Sequence, residues 1–461
     1  MTATSLAHPV LADLAGRLPA LRLLTEPSDL EHYGRDWTRR WMPAPLAVAL
    51  PASVEEVQAI VCWANEHRIY VVPSGGRTGL SGGAVAANGE LVLSLERMNR
   101  VLGFDAVDRT LTVQAGISLQ AVHDAARAHG LIYPVDFAAR GSCSIGGNIA
   151  TNAGGIRVIR YGNTREWIAG LTVVAGNGER LDLNRGLIKN SSGYDLRQLM
   201  IGSEGTLGVV VEATLKLTEP PPASQVMLLA LPDMAALMQV FALFRVKLNL
   251  QAFEFFTDVA LKHVLAHGAQ RAIDGEHSYY VVTEFDADED AALAVFEHGA
   301  EQGWISDGVI AQSEAQAAAL WRLREGITES LAPHRPYKND ISLRISALPV
   351  FLQEIQALLG REYPQAEVVW FGHIGDGNLH INVLKPEGLS DADFIAQCEH
   401  VTKLLADTLQ RHGGSISAEH GIGLVKKAYL GSTRSEAEIA LMRGVKQVFD
   451  PKGLLNPGKV F

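Results

Sequence analysis

Three consecutive prolines, Pro220–Pro222 in TEPPPAS (218–224), constrain this chain more than any other feature. Proline fixes its own φ and has no N–H to donate, so no helix interior or central strand runs through such a stretch. It is expected to part the 461 residues into separately packed regions, within the two to four domains such a length allows.

Upstream of the prolines the pattern is α/β. Ala47–Leu50 is a short apolar strand. Ser53 ahead of Glu55 and Glu56 signals a helix start, and Val57, Ile60, Val61 and Ala64 recur at helical spacing. Ile69–Val72 is a β-branched strand that delivers the chain into PSGGRTGLSGG (73–83). Strands are expected at Glu90–Leu95 and Thr110–Gln114, and a helix from Ser118 to about His129. Leu171–Ala175 and Glu179–Leu183 flank a Gly-Asn-Gly hairpin signal. Two further glycine-containing stretches are GSCSIGGNIATNAGG (141–155) and SSGYDLRQLMIGSEGTLGVV (191–210).

Downstream, Val226–Ala230 is a strand, Met234–Phe244 a helix, and further strands are expected near Glu254 and at Tyr279–Glu284. An acid-capped helix (Asp286–Ala300), a helical stretch at 314–331, strands around 341–346 and 367–384, and a helix over 391–411 follow.

The 73–83 loop matches neither G-x-G-x-x-G nor a Walker A loop. Its consecutive glycines after a strand still let backbone N–H groups converge on an anion, with Arg77 and Thr78 as further donors. Gly146-Gly147-Asn148 and Gly154-Gly155 offer a second wall of the same kind, unless all three loops are only tight turns between packed strands.

The formal charge is -11 and the pI about 5.8, so the chain as a whole has no electrostatic reason to bind nucleic acid or anionic lipid. An anionic ligand must find cations locally. Cys62, Cys143 and Cys398 are far apart, which fits neither a disulfide framework nor a cysteine zinc site. No apolar run reaches the ~18 residues a membrane span needs. The N-terminus reads as a short amphipathic helix with no targeting segment, which suits a bacterial cytoplasm.

The most informative segment is EVVWFGHIGDGNLHINVL (367–384). Asp376-Gly377 signals a two-residue hairpin turn. In that register His373 and His380 stand directly opposite, with Cβ atoms about 4.5–5.5 Å apart, and Asn382 shares their face. The pair suits a shared metal, or else is a stacked core pair. GGSISAEHGIG (413–423) sets Glu419 beside His420, and both serve one site only where the backbone turns, which Gly421 and Gly423 permit. Two histidines and a carboxylate leave coordination positions open, as catalytic metal sites do. Arg324 and Thr328 share a helical face by their spacing, and Lys338 follows; they supply the cations unless that face is merely solvated.

Together these motifs resemble the FAD-linked oxidases of the vanillyl-alcohol-oxidase (PCMH) type, in the 2-hydroxy-acid dehydrogenase branch. The resemblance runs from about Pro43 to the terminal NPGKVF. NIATNAGGIRVIRYG (148–162), LREGITE (323–329), YKNDIS (337–342) and HINV (380–383) are most similar to members that oxidise D-2-hydroxyglutarate, with D-lactate, glycolate or another D-2-hydroxy acid as alternatives. Asn339 departs from the pattern, standing where members often carry an aromatic residue.

The resemblance implies an α+β fold with three parts. A PCMH-type FAD-binding domain of two α/β subdomains covers 1–220 (core about 43–220), an antiparallel α+β cap for substrate covers 221–414, and 415–461 completes the site. It implies non-covalent FAD held by Pro73, Ser74, Gly75, Gly76, Arg77, Thr78, Gly79, Ser142, Gly146, Gly147, Asn148, Thr151, Asn152, Gly155, Glu204, Gly205, Gly208, Val209 and Asn456. It implies Zn²⁺ or another divalent metal on His373, His380 and Glu419. His420 would be the catalytic base and also touch substrate, with Arg324, Thr328, Lys338 and Asn382 on a small 2-hydroxy dicarboxylate. The Cα hydride would pass to flavin N5 and the electrons to a protein or quinone acceptor, such as electron-transfer flavoprotein. Neither nucleic acid nor integral membrane insertion is expected, and a homodimer is allowed. A zinc hydrolase or a non-enzymatic flavin-binding module would share some of these features; a colourless protein would mark the first, a flavin that no hydroxy acid reduces the second.

Overall fold

A computed structural model describes residues 8–461. The N-terminal expectation is met by a helix at Pro9–Arg17, with residues 1–7 outside the described part. The chain forms two compact units. The first contains residues up to Gly155, Gly162–Pro220 and Glu419–Phe461; the second contains Ile156–Tyr161 and Pro221–Ala418.

The first unit holds two sheets. Strands β1 (Arg22–Leu24), β2 (Ala47–Leu50), β3 (Val71–Ser74) and β4 (Leu91–Ser94) lie in the order β1-β2-β4-β3, parallel except for β1. Ser53 caps the helix Val54–His67 by accepting from Glu56 N, and that helix buries Val57, Ile60, Val61 and Ala64, the face its spacing predicts. Burying such a side chain contributes about 1.5–3 kcal/mol. Strands β5 (Val101–Asp105), β6 (Thr110–Gln114), β7 (Ile168–Ala175), β8 (Arg180–Leu183) and β9 (Gly208–Lys216) form an antiparallel sheet in the order β5-β6-β9-β7-β8. The β7–β8 hairpin turns through Gly178 at φ +88°, as the Gly-Asn-Gly signal requires. The 141–155 stretch is not an open loop. Ser144 accepts from Gly147 N and starts a helix, Ile145–Thr151, which ends at Asn152 in the left-handed region.

The second unit is one seven-stranded antiparallel sheet. Its strands are β10 (Ser224–Leu231), β11 (Leu250–Thr257), β12 (Tyr279–Asp286), β13 (Asp307–Ile310), β14 (Tyr337–Ser342), β15 (Val368–Gly372) and β16 (Asn378–Val383). Their order is β13-β10-β12-β11-β15-β16-β14. The strand expected at 341–346 therefore lies earlier, at β14, because Tyr337–Ser342 pairs in register with β16. The Asp286–Ala300 helix begins later, at Glu289, where Asp288 accepts from Ala291 N. The stretch 314–331 divides into Glu314–Glu325 and Ile327–Ser330 at Gly326. The short segment 156–161 is tied to this unit by charge. Arg157 meets the Glu284 carboxylate at 3.1 Å, and Arg160 pairs with Asp286.

Candidate active site

In the second unit the candidate residues gather around β14, β15 and β16. The hairpin register differs from expectation. His380 stands opposite Phe371 and Asp340, and His373 lies outside the ladder in a five-residue loop, His373–Gly377, between β15 and β16. The reason is local. Asp376 Oδ1 accepts from Asn378 N at 3.0 Å, and His373 O accepts from Asp376 N and Asn378 N, so the Asp side chain builds a wider turn. Gly377 (φ +90°) accepts at its carbonyl oxygen from Leu343 N, and a Cβ there would stand 2.1 Å from Leu343 O. The imidazoles of His373 and His380 still meet, edge to face, with ring centroids 5.2 Å apart.

Behind His373 stands a residue the sequence reading did not select. Glu254, from β11, is 1% exposed and sits 2.8 Å from His373 Nδ1. Its Oε2 lies 2.9 Å from Arg324 Nη2. That contact is an ion pair without hydrogen-bond alignment: among the described residues the buried Arg324 Nε and Nη2 have no hydrogen-bond partner. The guanidinium lies over the Phe371 ring at 4.9 Å, and Phe371 in turn packs against His380 at 5.1 Å. Arg324 is buried, whereas Thr328, beyond the break at Gly326, is exposed.

Asp340 lies opposite His380, with carboxylate and Nδ1 3.7 Å apart, and accepts from Asn378 Nδ2 at 2.8 Å. Lys338 stands opposite the buried Asn382. Lys338 keeps contact with solvent, yet the atoms packed around it pull its pKa below the usual lysine value, and desolvation is the sole cause. No carboxylate among the described residues offsets it. Asn339 alternates to the opposite side, where its Nδ2 reaches Ile381 O at 3.5 Å. Burial pushes Asp376 up to about 6, with His373 opposing the shift and Glu254 and Asp340 adding to it.

In the first unit the glycine stretches converge. A Cβ on Gly75 would stand 2.0 Å from Ser144 Oγ, and one on Gly76 2.0 Å from Ser142 O, so only glycine lets these two stretches approach so closely. Pro73 and Ser74 end β3, and Ser74 Oγ is buried without a hydrogen-bond partner among the described residues. Arg77 (φ +57°) turns its guanidinium to Gly75 O and over the Tyr33 ring, rather than projecting as a free donor. Thr78 is half-buried and Gly79 exposed. Gly146, Gly147, Asn148 and Thr151 lie on the Ile145–Thr151 helix, where Thr151 Oγ1 donates to Gly147 O, and Asn152 Oδ1 accepts from Arg165 N. Ser142 is exposed. A Cβ on Gly155 would meet Asp136 O at 2.0 Å. Gly208 and Val209 begin β9, and Gly205 (φ +69°) packs on Pro73.

Glu204 organises the closing segment. Its two carboxylate oxygens accept from Ile422 N and Gly423 N, each at 2.8 Å. Burial pushes its carboxyl up, against those two donors and the charges of Lys426 and Lys459. Gly421 (φ +78°) and Gly423 (φ +49°) make the expected turn after Glu419 and His420, and Ser81 Oγ donates to His420 O at 2.8 Å. Asn456 Nδ2 donates to Glu204 O and Gly83 O.

Residues 220–460 match the family described as FAD linked oxidases, C-terminal domain, and residues 45–184 match an FAD binding domain. The chain belongs to the FAD-linked oxidases. This FAD-linked oxidase is 73% identical to a D-2-hydroxyglutarate dehydrogenase of Xanthomonas citri pv. viticola, over 99% of this chain and 98% of that one. It is 53% identical to a D-2-hydroxyglutarate dehydrogenase of Stutzerimonas stutzeri, over 95% and 96% of the two chains. Among solved structures it is similar to p-cresol methylhydroxylase with substrate bound, at a TM-score of 0.70 and 15% identity, over 95% of this chain and 93% of that one. The fold is therefore of the expected PCMH type, an FAD-binding domain with an antiparallel α+β partner. No helix among the described residues is long and apolar enough to cross a membrane.

Proposed function

We propose that this FAD-linked oxidase oxidises D-2-hydroxyglutarate to 2-oxoglutarate with non-covalent FAD and a divalent metal, Zn²⁺ by its histidine-rich donor set. The relatives at 73% and 53% identity support the substrate. The observation that carries the reading is in the second unit: two facing imidazoles beside two cations whose bonding capacity is unspent. Arg324 Nε and Nη2 lack hydrogen-bond partners among the described residues, and the exposed Lys338, its pKa lowered by the atoms packed around it, has no acid offsetting it. A dicarboxylate can bond the unspent N–H groups of Arg324 and pair with Lys338 as well, whereas a monocarboxylate leaves one of these donors without a substrate partner.

The residues present fit both groups. The glycine cradle at Gly75–Gly76, which a Cβ would fill, and the orphaned Ser74 Oγ support FAD on the loop, helix and strand residues already named, from Pro73 to Asn456. The domain roles follow: 1–220 with 415–461 for the flavin, 221–414 for substrate. His373, His380 and Glu419 would hold the metal. A carboxylate behind the metal-facing histidine is the usual support for such a ligand. When bound, FAD supplies a two-electron acceptor, and the metal polarises the 2-hydroxyl.

The chain's own residues do the rest. Arg324, Thr328, Lys338 and Asn382 hold the carboxylates and orient the Cα–H bond. His420 takes the hydroxyl proton, and the Glu204 and Ser81 contacts fix the backbone that carries it. The electrons leave to a protein or quinone acceptor, in a cytoplasmic enzyme. The test is anaerobic mixing of the flavin-loaded protein with D-2-hydroxyglutarate, D-lactate and D-malate in parallel. Bleaching by D-2-hydroxyglutarate at the lowest concentration is expected; preferential bleaching by D-lactate would overturn the substrate assignment.

A further inference from the structure

Glu254 lies in the apolar strand LQAFEFFT and is 1% exposed. A carboxylate in such a strand is costly unless paired, so its partners mark why the position tolerates it. They are His373 Nδ1 at 2.8 Å and the buried Arg324 at 2.9 Å. We propose that Glu254 is a positioning residue for the metal, acting through His373; this rests on the metal-site reading above. An ionised carboxylate only accepts, so the imidazole donates its Nδ1–H and carries its lone pair on Nε2. A ring held in one tautomer and one orientation, and made more basic by the negative charge, is a stronger ligand than a free one. The same carboxylate offsets Arg324, which lets that cation stay buried before any anionic substrate arrives.

The experiment is equilibrium dialysis of flavin-loaded protein against Zn²⁺ alone, comparing wild type with Glu254→Gln. Glutamine keeps the shape but loses the charge, and its amide can present either oxygen or N–H to the imidazole. The Kd for Zn²⁺ is expected to rise about 10- to 100-fold. Flavin content is expected to hold, and the melting temperature of the metal-free protein to fall, because glutamine leaves the buried Arg324 without its counter-charge. The Kd is therefore compared well below that temperature, where a purely structural role would leave the Zn²⁺ affinity of the folded protein unchanged. Glu254→Asp keeps the charge but draws it back by one methylene. Its Kd is expected to lie between the other two, and it is read against wild type in the same way if Glu254→Gln does not fold. A variant Kd within threefold of wild type would overturn the role of Glu254 alone. A wild-type protein that retains no Zn²⁺ would overturn the metal site together with it.

Discussion

Lys338→Met separates a dicarboxylate enzyme from one that takes any D-2-hydroxy acid. The substitution keeps most of the aliphatic stem and removes the ammonium. Lys338 retains solvent contact, and its ladder partner Asn382 is met through the backbone, so no core cavity opens. A hydrogen bond to a charged group is worth about 1.5–3 kcal/mol, and each 1.4 kcal/mol is a factor of ten. If Lys338 holds the distal carboxylate, kcat/KM for D-2-hydroxyglutarate falls about 10- to 150-fold. D-Lactate has no distal carboxylate, so its kcat/KM moves less than about threefold. The pH profile gives a second handle. Desolvation lowers the Lys338 pKa, and only the ammonium form attracts the carboxylate. Activity on D-2-hydroxyglutarate therefore declines as pH rises through that lowered value, below the ordinary lysine pKa of about 10.4. The basic limb is absent in the variant. The assay is steady-state reduction of an artificial acceptor with both substrates across pH 7–10. Equal losses on both substrates would refute the argument that Lys338 reads the second carboxylate.

His420→Ala is expected to keep its flavin and metal but lose about 10²–10⁴ in kcat, because Ser81 and Glu204 hold this segment through its backbone and not through the imidazole; near-normal turnover would remove His420 as the base. Gly76→Ala places a Cβ 2.0 Å from Ser142 O, so the 73–83 and 141–155 stretches must move apart and flavin content should drop, whereas Gly141→Ala meets nothing within 4 Å and should bind normally. Equal absorbance at 450 nm in the two variants would count against a flavin cradle there. Burial pulls buried Lys459 down to about 8, against the charges of Glu90, Asp36 and Glu204. Its folded pKa lies below its unfolded one, so the unfolded chain binds more protons in between, and this group's contribution to stability rises from about pH 8 to about 10.5. Subtracting the melting-temperature profile of Lys459→Met from that of wild type checks this, and a difference flat with pH would refute it.

Features set by local chemistry were legible in the sequence. Ser53 and Ser118 cap helices because a hydroxyl beside free N–H groups finds them at once. Gly421 and Gly423 adopt left-handed conformations close to the motif they flank. Alternation along β16 put His380 with Asn382 on a shared face before any partner strand was known.

The hairpin register was not legible. Asp376-Gly377 fits a two-residue turn, but the Asp376 side chain and the approach of Leu343 widen it, and His380 then faces Phe371. The imidazoles meet all the same, because His373 leaves the ladder and turns its ring edge-on. Glu254 gave no local signal, being one acid in an apolar strand. Its partners lie 119 residues away at His373 and on the distant helix carrying Arg324. The sequence by itself determined the kinds of chemistry this chain carries and the short-range conformations that present them. Only the tertiary structure decided which buried charge supports which ligand, because a carboxylate's partner is chosen by packing across strands and not by neighbours along the chain.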